Sequence, residues 1–164
     1  MSSSNAQDAT FTICDYLPAE YSGIVSFIES MEPWKSHRMG DDYFKSILCD
    51  ERYRIKLATI NDKIVGLIAW EYLDQFPYGG YIRLLGVDEQ CRRRSLGRDL
   101  MSHAEKDIFP RLKNAYVAAP ENSAAARAFY RACGFDEIGV LSDFSCARFH
   151  LIFMRKTIGP VWNE

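Results

Sequence analysis

Leu84-Leu85-Gly86-Val87-Asp88-Glu89-Gln90-Cys91-Arg92-Arg93-Arg94-Ser95-Leu96-Gly97-Arg98-Asp99-Leu100 carries an apolar strand into a basic turn, and the turn into an amphipathic helix. A helix N-terminus presents unpaired backbone N–H groups and the positive end of its dipole, so it attracts phosphate. Arg92, Arg93 and Arg94 add side-chain charge to that turn. No Gly-Lys-Ser/Thr follows, so the turn is not a Walker loop, and the three spaced glycines of a dinucleotide fingerprint are missing. The stretch reads as a short pyrophosphate cradle. A solvated basic surface turn competes with that reading, and the position at a strand-to-helix junction favours the cradle.

Upstream, Thr10–Cys14 alternates as a first strand. Pro18 opens a helix with Tyr21, Ile24, Val25, Ile28 and Met31 on its apolar face, and Pro33 ends it. Met31–Lys35 reads as a loop holding Trp34, and Asp41 or Asp42 can cap a helix carrying Phe44, Ile47 and Leu48. Arg54–Ile60 and Lys63–Tyr72 flank Asn61-Asp62, a dipeptide suited to a tight hairpin. The second of these strands is almost continuously apolar, which predicts burial on both faces. The loop Asp74–Gly79 leads into Gly80–Val87. Downstream, Leu96, Leu100, Ala104 and Ile108 mark a helix face that stops at Pro110. Ala115–Ala119 is a strand, and Asn122 or Ser123 caps a helix with Ala125, Phe129 and Ala132, closed by Gly134. Phe135–Val140 and Phe149–Lys156 complete the sheet. The order predicts an α/β fold, a mixed sheet of about seven strands flanked by about four helices on both faces.

A length of 164 residues suits one domain, and 48% apolar residues argue against disorder. Residues 1–9 read as a frayed tail, 10–158 as the domain and 159–164 as a C-terminal tail. The formal charge of −2 sets up no global field for nucleic acid or an anionic membrane. Cys14, Cys49, Cys91, Cys133 and Cys146 are scattered, without zinc spacing, and predict reduced thiols in a cytoplasmic protein with no metal.

A second motif runs Asn122-Ser123-Ala124-Ala125-Ala126-Arg127-Ala128-Phe129-Tyr130-Arg131-Ala132-Cys133-Gly134-Phe135. Together with the cradle it resembles the GNAT superfamily of acetyl-CoA-dependent N-acetyltransferases. Arg92 to Gly97 match the family's Arg/Gln-x-x-Gly-x-Gly/Ala. Asn122, Ala125 or Ala126, Tyr130, Gly134 and Phe135 match its later Asn-x-x-Ala-x-x-x-Tyr-x-x-x-Gly-Phe. Ser95 stands where the family carries its first glycine, small enough to keep backbone approach in a helical first turn. The resemblance covers nearly the whole chain and implies a mostly antiparallel GNAT-type sheet.

The resemblance implies that Leu85, Gly86 and Val87 pair with the pantetheine arm of acetyl-CoA, and that Arg92, Arg93, Arg94, Ser95, Leu96, Gly97 and Arg98 hold its pyrophosphate. It implies that Asn122 bonds the arm and that Tyr130 protonates the departing thiolate. A phenol with pKa ~10 can donate to a thiolate whose thiol has pKa ~8.5. An alkylammonium with pKa ~10.4 must first lose a proton, which calls for a base. Family members place a glutamate where this chain has Tyr81 or within Ala115–Ala119. Glu71 is the remaining candidate base, against the plainer reading of a solvated strand-end carboxylate. Glu121 suits the helix dipole. His37, His103 and His150 show no catalytic partner, and His103 is expected on an exposed helix face. Trp34 is the candidate acceptor contact, and Glu29, Glu32, Asp41, Asp42 and Glu71 would suit a cationic amine. The expected partner is an amine acceptor, a small molecule or a protein amine, with a homodimer allowed. A non-catalytic acyl-CoA sensor is the alternative function.

Overall fold

The computed structural model describes residues 10–37, 39–144 and 148–162; the expected tail at 1–9 and Cys146 lie outside them. The chain runs β1 (Thr12–Asp15), α1 (Tyr21–Glu29), α2 (Trp34–His37), α3 (Asp41–Leu48), β2 (Arg54–Ile60), β3 (Lys63–Leu73), β4 (Gly79–Val87), α4 (Leu96–Ile108), β5 (Asn114–Pro120), α5 (Ala124–Ala132), β6 (Asp136–Leu141) and β7 (Leu151–Thr157). The seven strands form one sheet in the order β1-β2-β3-β4-β5-β7-β6. Every pair is antiparallel except β4 with β5. A parallel pair needs a crossover, and α4 supplies it. No helix among the described residues is long and apolar enough to cross a membrane.

Asn61 and Asp62 take φ of 48° and 62°, the left-handed pair of a tight hairpin turn. β3 is buried from Val65 to Trp70, as its apolar run predicts. Its two faces feed separate cores. Ile68 and Trp70 join Leu96, Leu100, Met101, Ala104 and Ile108 of α4. Leu67 and Ala69 join Ile24 and Ile28 of α1 and Phe44, Ile47 and Leu48 of α3. The α1–α3 layer reaches only to Leu84 of β4. Beyond β4 that face carries Tyr116 stacked on Phe153, with ring centroids 5.3 Å apart.

The helices depart from expectation in four places. Pro18–Glu20 is a tight 3₁₀ turn ahead of α1, and α2 is a one-turn helix holding Trp34 where a loop was expected. Gly40, not an aspartate, caps α3. Asp41 instead lies in its first turn, accepts from the Tyr21 hydroxyl and pairs with Lys45 at 2.6 Å. Ser123 caps α5 without a side-chain bond. The inward face of α5 is Ala126, Phe129, Tyr130 and, just past it, Cys133; Ala125 and Ala132 are exposed. The alanines misled because small residues mark no face.

Candidate active site

The site begins with one extra residue. Leu84 pairs with Ala69 and Ile82 with Trp70, so Arg83 is a bulge in β4. A bulge bends its strand, and here the pairing of β4 with β5 ends at Ile82–Val117. From Arg83 to Val87, β4 has only β3 beside it. Asp88 N–H donates to the Val65 carbonyl on β3 at 2.9 Å. By the two-residue alternation of a strand, Gly86 faces β3, while Leu85 and Val87 direct their backbone groups into the gap on the β5 side. The Val87 carbonyl there meets Arg92 Nε at 3.4 Å.

The gap runs into the basic turn. Glu89–Cys91 makes a 3₁₀ turn, started by Asp88 Oδ1 accepting from Gln90 N–H at 2.9 Å. Arg92, Arg93 and Arg94 are exposed, and Arg92 lies 3.5 Å from Glu89. Arg93 and Ser95 take φ of 65° and 64°. Ser95 is therefore left-handed, not the start of a helical turn, a conformation glycine adopts at no steric cost. Its hydroxyl donates to Asp99 Oδ2 at 2.8 Å, and its carbonyl accepts from Arg98 and Asp99 N–H. The N–H groups of Leu96 and Gly97 open α4 beside the gap. Gly97 also admits α5: a Cβ there would lie 3.1 Å from the Phe129 ring.

Tyr130 is fixed from behind by the end of α5. Gly134 takes φ of 91°, Phe135 N–H donates to the Tyr130 carbonyl at 3.0 Å, and Gly134 N–H donates to the Arg131 carbonyl at 2.9 Å. These are the two bonds of a Schellman motif, whose usual apolar contact is here Phe135 on Tyr130, 6.0 Å between rings. The Tyr-x-x-x-Gly-Phe spacing thus has a local cause. Burial, then the Tyr81 phenol and Cys133, push the Tyr130 phenol above its ordinary pKa.

Opposite lies a polar group that sequence reasoning found only in part. Glu71 and Tyr81 are cross-strand partners on β3 and β4, and the Tyr53 hydroxyl donates to Glu71 Oε1 at 2.8 Å. Glu71 is therefore half-buried and hydrogen-bonded rather than solvated. Burial, then the bond to Glu71, raises the Tyr53 phenol above its ordinary range. Arg83 lies over the Tyr43 ring at 5.2 Å. Tyr53, Tyr81, Arg83 and Tyr43 were missed as a set because they come from three separate places in the chain, α3, the residue just ahead of β2, and β4; an arginine inside an otherwise apolar strand was the available signal.

Trp34 is half-buried and lines a cavity of about 240 Å³ with Glu29, Lys35 and Met39. Asn122 is exposed just ahead of α5. His103 is half-buried, not exposed. It lines a groove of about 890 Å³ with Arg54, Trp70, Lys106 and Asp107. That groove contains neither the turn nor Tyr130 and shares only Tyr53 with the Glu71 group.

A family model described as Acetyltransferase (GNAT) family matches residues 13–135. No curated protein matches the sequence. Among solved structures, Arabidopsis thaliana NAA60 in complex with a bisubstrate analogue superposes with a TM-score of 0.75 at 16% identity, covering 90% of this chain and 98% of its own. Aminoglycoside 6'-N-acetyltransferase complexed with coenzyme A gives 0.73 at 18%, covering 93% and 99%. The ribosomal-protein-S18-alanine N-acetyltransferase from Escherichia coli gives 0.68 at 21%, covering 94% and 98%. At these identities the likeness is one of fold.

Proposed function

The chain belongs to the GNAT acetyltransferase family, and on that premise we propose that it transfers acetyl from acetyl-CoA to a primary amine by direct attack with both substrates bound. The observation that carries the reading is the bulge at Arg83, which frees the backbone of Leu85 and Val87 beside a helix N-terminus. That arrangement fits a ligand with an amide-bearing arm and a pyrophosphate: the arm completes the unpaired strand edge, and the N–H groups of α4 with Arg92, Arg93, Arg94 and Arg98 meet the phosphates. Bound acetyl-CoA supplies the thioester. Glu71, oriented by Tyr53, takes a proton from the acceptor ammonium. Tyr130, protonated at neutral pH as an ordinary phenol is, holds the proton that the departing sulfur needs. Asn122 bonds the arm, and Trp34 borders the acceptor.

Thiol release from acetyl-CoA across a panel of amines and peptides tests the reading. Tyr130→Phe removes only a hydroxyl, so CoA affinity should hold while kcat falls by ~10² or more. Turnover at the wild-type rate would remove Tyr130 from the mechanism and leave the cofactor site standing. Tight CoA binding with no turnover on any amine would turn the reading to an acyl-CoA sensor.

A further inference from the structure

Five lysines and arginines are half-buried among the described residues: Arg54, Lys56, Arg83, Arg127 and Lys156. Four have a carboxylate. Arg54 pairs with Asp107 at 3.3 Å, Lys56 with Asp15 at 2.7 Å, Arg127 with Glu137 at 3.3 Å and Lys156 with Glu105 at 2.8 Å. Arg83 takes part in none of the ion pairs found among the described residues. Its guanidinium has the Tyr43 ring at 5.2 Å instead. Taking a cation partly out of water without a counter-charge is costly, and an aromatic face offsets only part of that cost.

Tyr81 is the polar side chain beside it, a neutral one, and the place of this cation matters as much as the missing carboxylate among the described residues. Arg83 is the bulge residue at which β4 leaves β5, two residues along the strand from Tyr81, the cross-strand partner of Glu71. The basic turn that suits pyrophosphate begins beyond Val87, roughly 13 Å further along an extended strand. Arg83 therefore stands on the acceptor's side. A guanidinium presents a planar fork that matches a carboxylate with two parallel hydrogen bonds.

We propose that the acceptor amine also carries a carboxylate, which Arg83 binds while the amino group lies toward Glu71. Tyr43 lies against Arg83 and Tyr53 against Glu71. This rests on the acetyl-transfer reading above, and the two can fail separately.

The test uses matched acceptors that differ only in the anion: 5-aminopentanoate against pentylamine, and phenylalanine against phenethylamine, with O-phosphoethanolamine as a phosphate arm. With acetyl-CoA, kcat/KM should favour the carboxylated member of at least one pair by about 10- to 100-fold, the range of a charge-assisted hydrogen-bonded pair. R83Q should collapse that ratio toward one and R83K should keep part of it, with CoA affinity reporting that each variant is folded. Calorimetric titration of the CoA-loaded protein with the same pairs reads recognition without turnover. Selective binding of the carboxylated amines with no acetylation of any amine would keep this inference and remove the acetyl-transfer reading. Acetylation with ratios of one or less in every pair would remove this inference and keep the transfer reading. A ratio that survives in R83Q, or a preference for the phosphate arm over both carboxylates, also overturns it. If R83Q does not fold, the wild-type ratios and titrations decide.

Discussion

Along β4, Gly80–Ile82 lies between two strands, whereas Arg83–Val87 has β3 alone. At the start of β4 the neighbours press so close that two successive positions admit no Cβ, although Tyr81 and Ile82 beyond them keep their side chains. A Cβ on Gly79 would meet the Asn114 carbonyl oxygen at 2.6 Å, and one on Gly80 would meet Ile108 at 2.3 Å. The second half tolerates Leu84, Leu85 and Val87 but leaves backbone groups without a strand. One extra residue separates the two conditions. An unpaired edge is ordinarily a liability, and here it lies beside the cluster of basic side chains that a phosphate-bearing ligand would use. A functional strand need not differ in composition from a structural one; it needs a break in register at the right place.

Amide hydrogen exchange breaks or sharpens the comparison most directly. The N–H groups of Leu85 and Val87 should exchange fast in the free protein and slow by about a hundredfold or more with saturating CoA, while Gly86, facing β3, stays protected throughout. Equal protection of all three amides before ligand addition would close the gap and undo the site.

Next in size is the contrast between glycines. Gly79→Ala forces backbone and the Tyr116 ring apart and should cost about 1–3 kcal/mol in denaturant unfolding. Gly86→Ala meets only the flexible end of Met31, at 2.6 Å, and should cost less than about 1 kcal/mol. Equal costs would mean that the two halves are packed alike.

The smallest expected effect is in alkali. The Tyr130 phenol titrates above its ordinary value of 10.0 when folded, so the stability it confers is complete below pH 10 and is lost as pH rises from 10 through the folded value. Wild type should lose up to about 1.4 kcal/mol per pH unit relative to Tyr130→Phe above pH 10. The kcat profile of wild type should stay level from pH 8 to 10; a basic limb inside that range would assign the proton to another group.

The sequence by itself determined the elements. Apolar periodicity, Asn61-Asp62, Pro110 and Gly134 marked strands, a turn and helix ends, because each acts through its own backbone or through neighbours a few residues away. The paired motifs identified the family for the same reason: the basic turn precedes α4 directly, and Tyr130, Gly134 and Phe135 form one helix terminus. Tertiary structure decided what depends on distant pairing. The left-handed backbone at Ser95 follows from how the turn must join β4 to α4. The bulge at Arg83 exists only in register with Ala69 and Trp70. The meeting of Tyr53, Glu71, Tyr81 and Arg83 requires β2, β3 and β4 to lie side by side, with α3 bringing Tyr43 over them. No single-sequence pattern encodes that meeting, because each of these side chains is locally an ordinary residue of a strand, a helix or a turn.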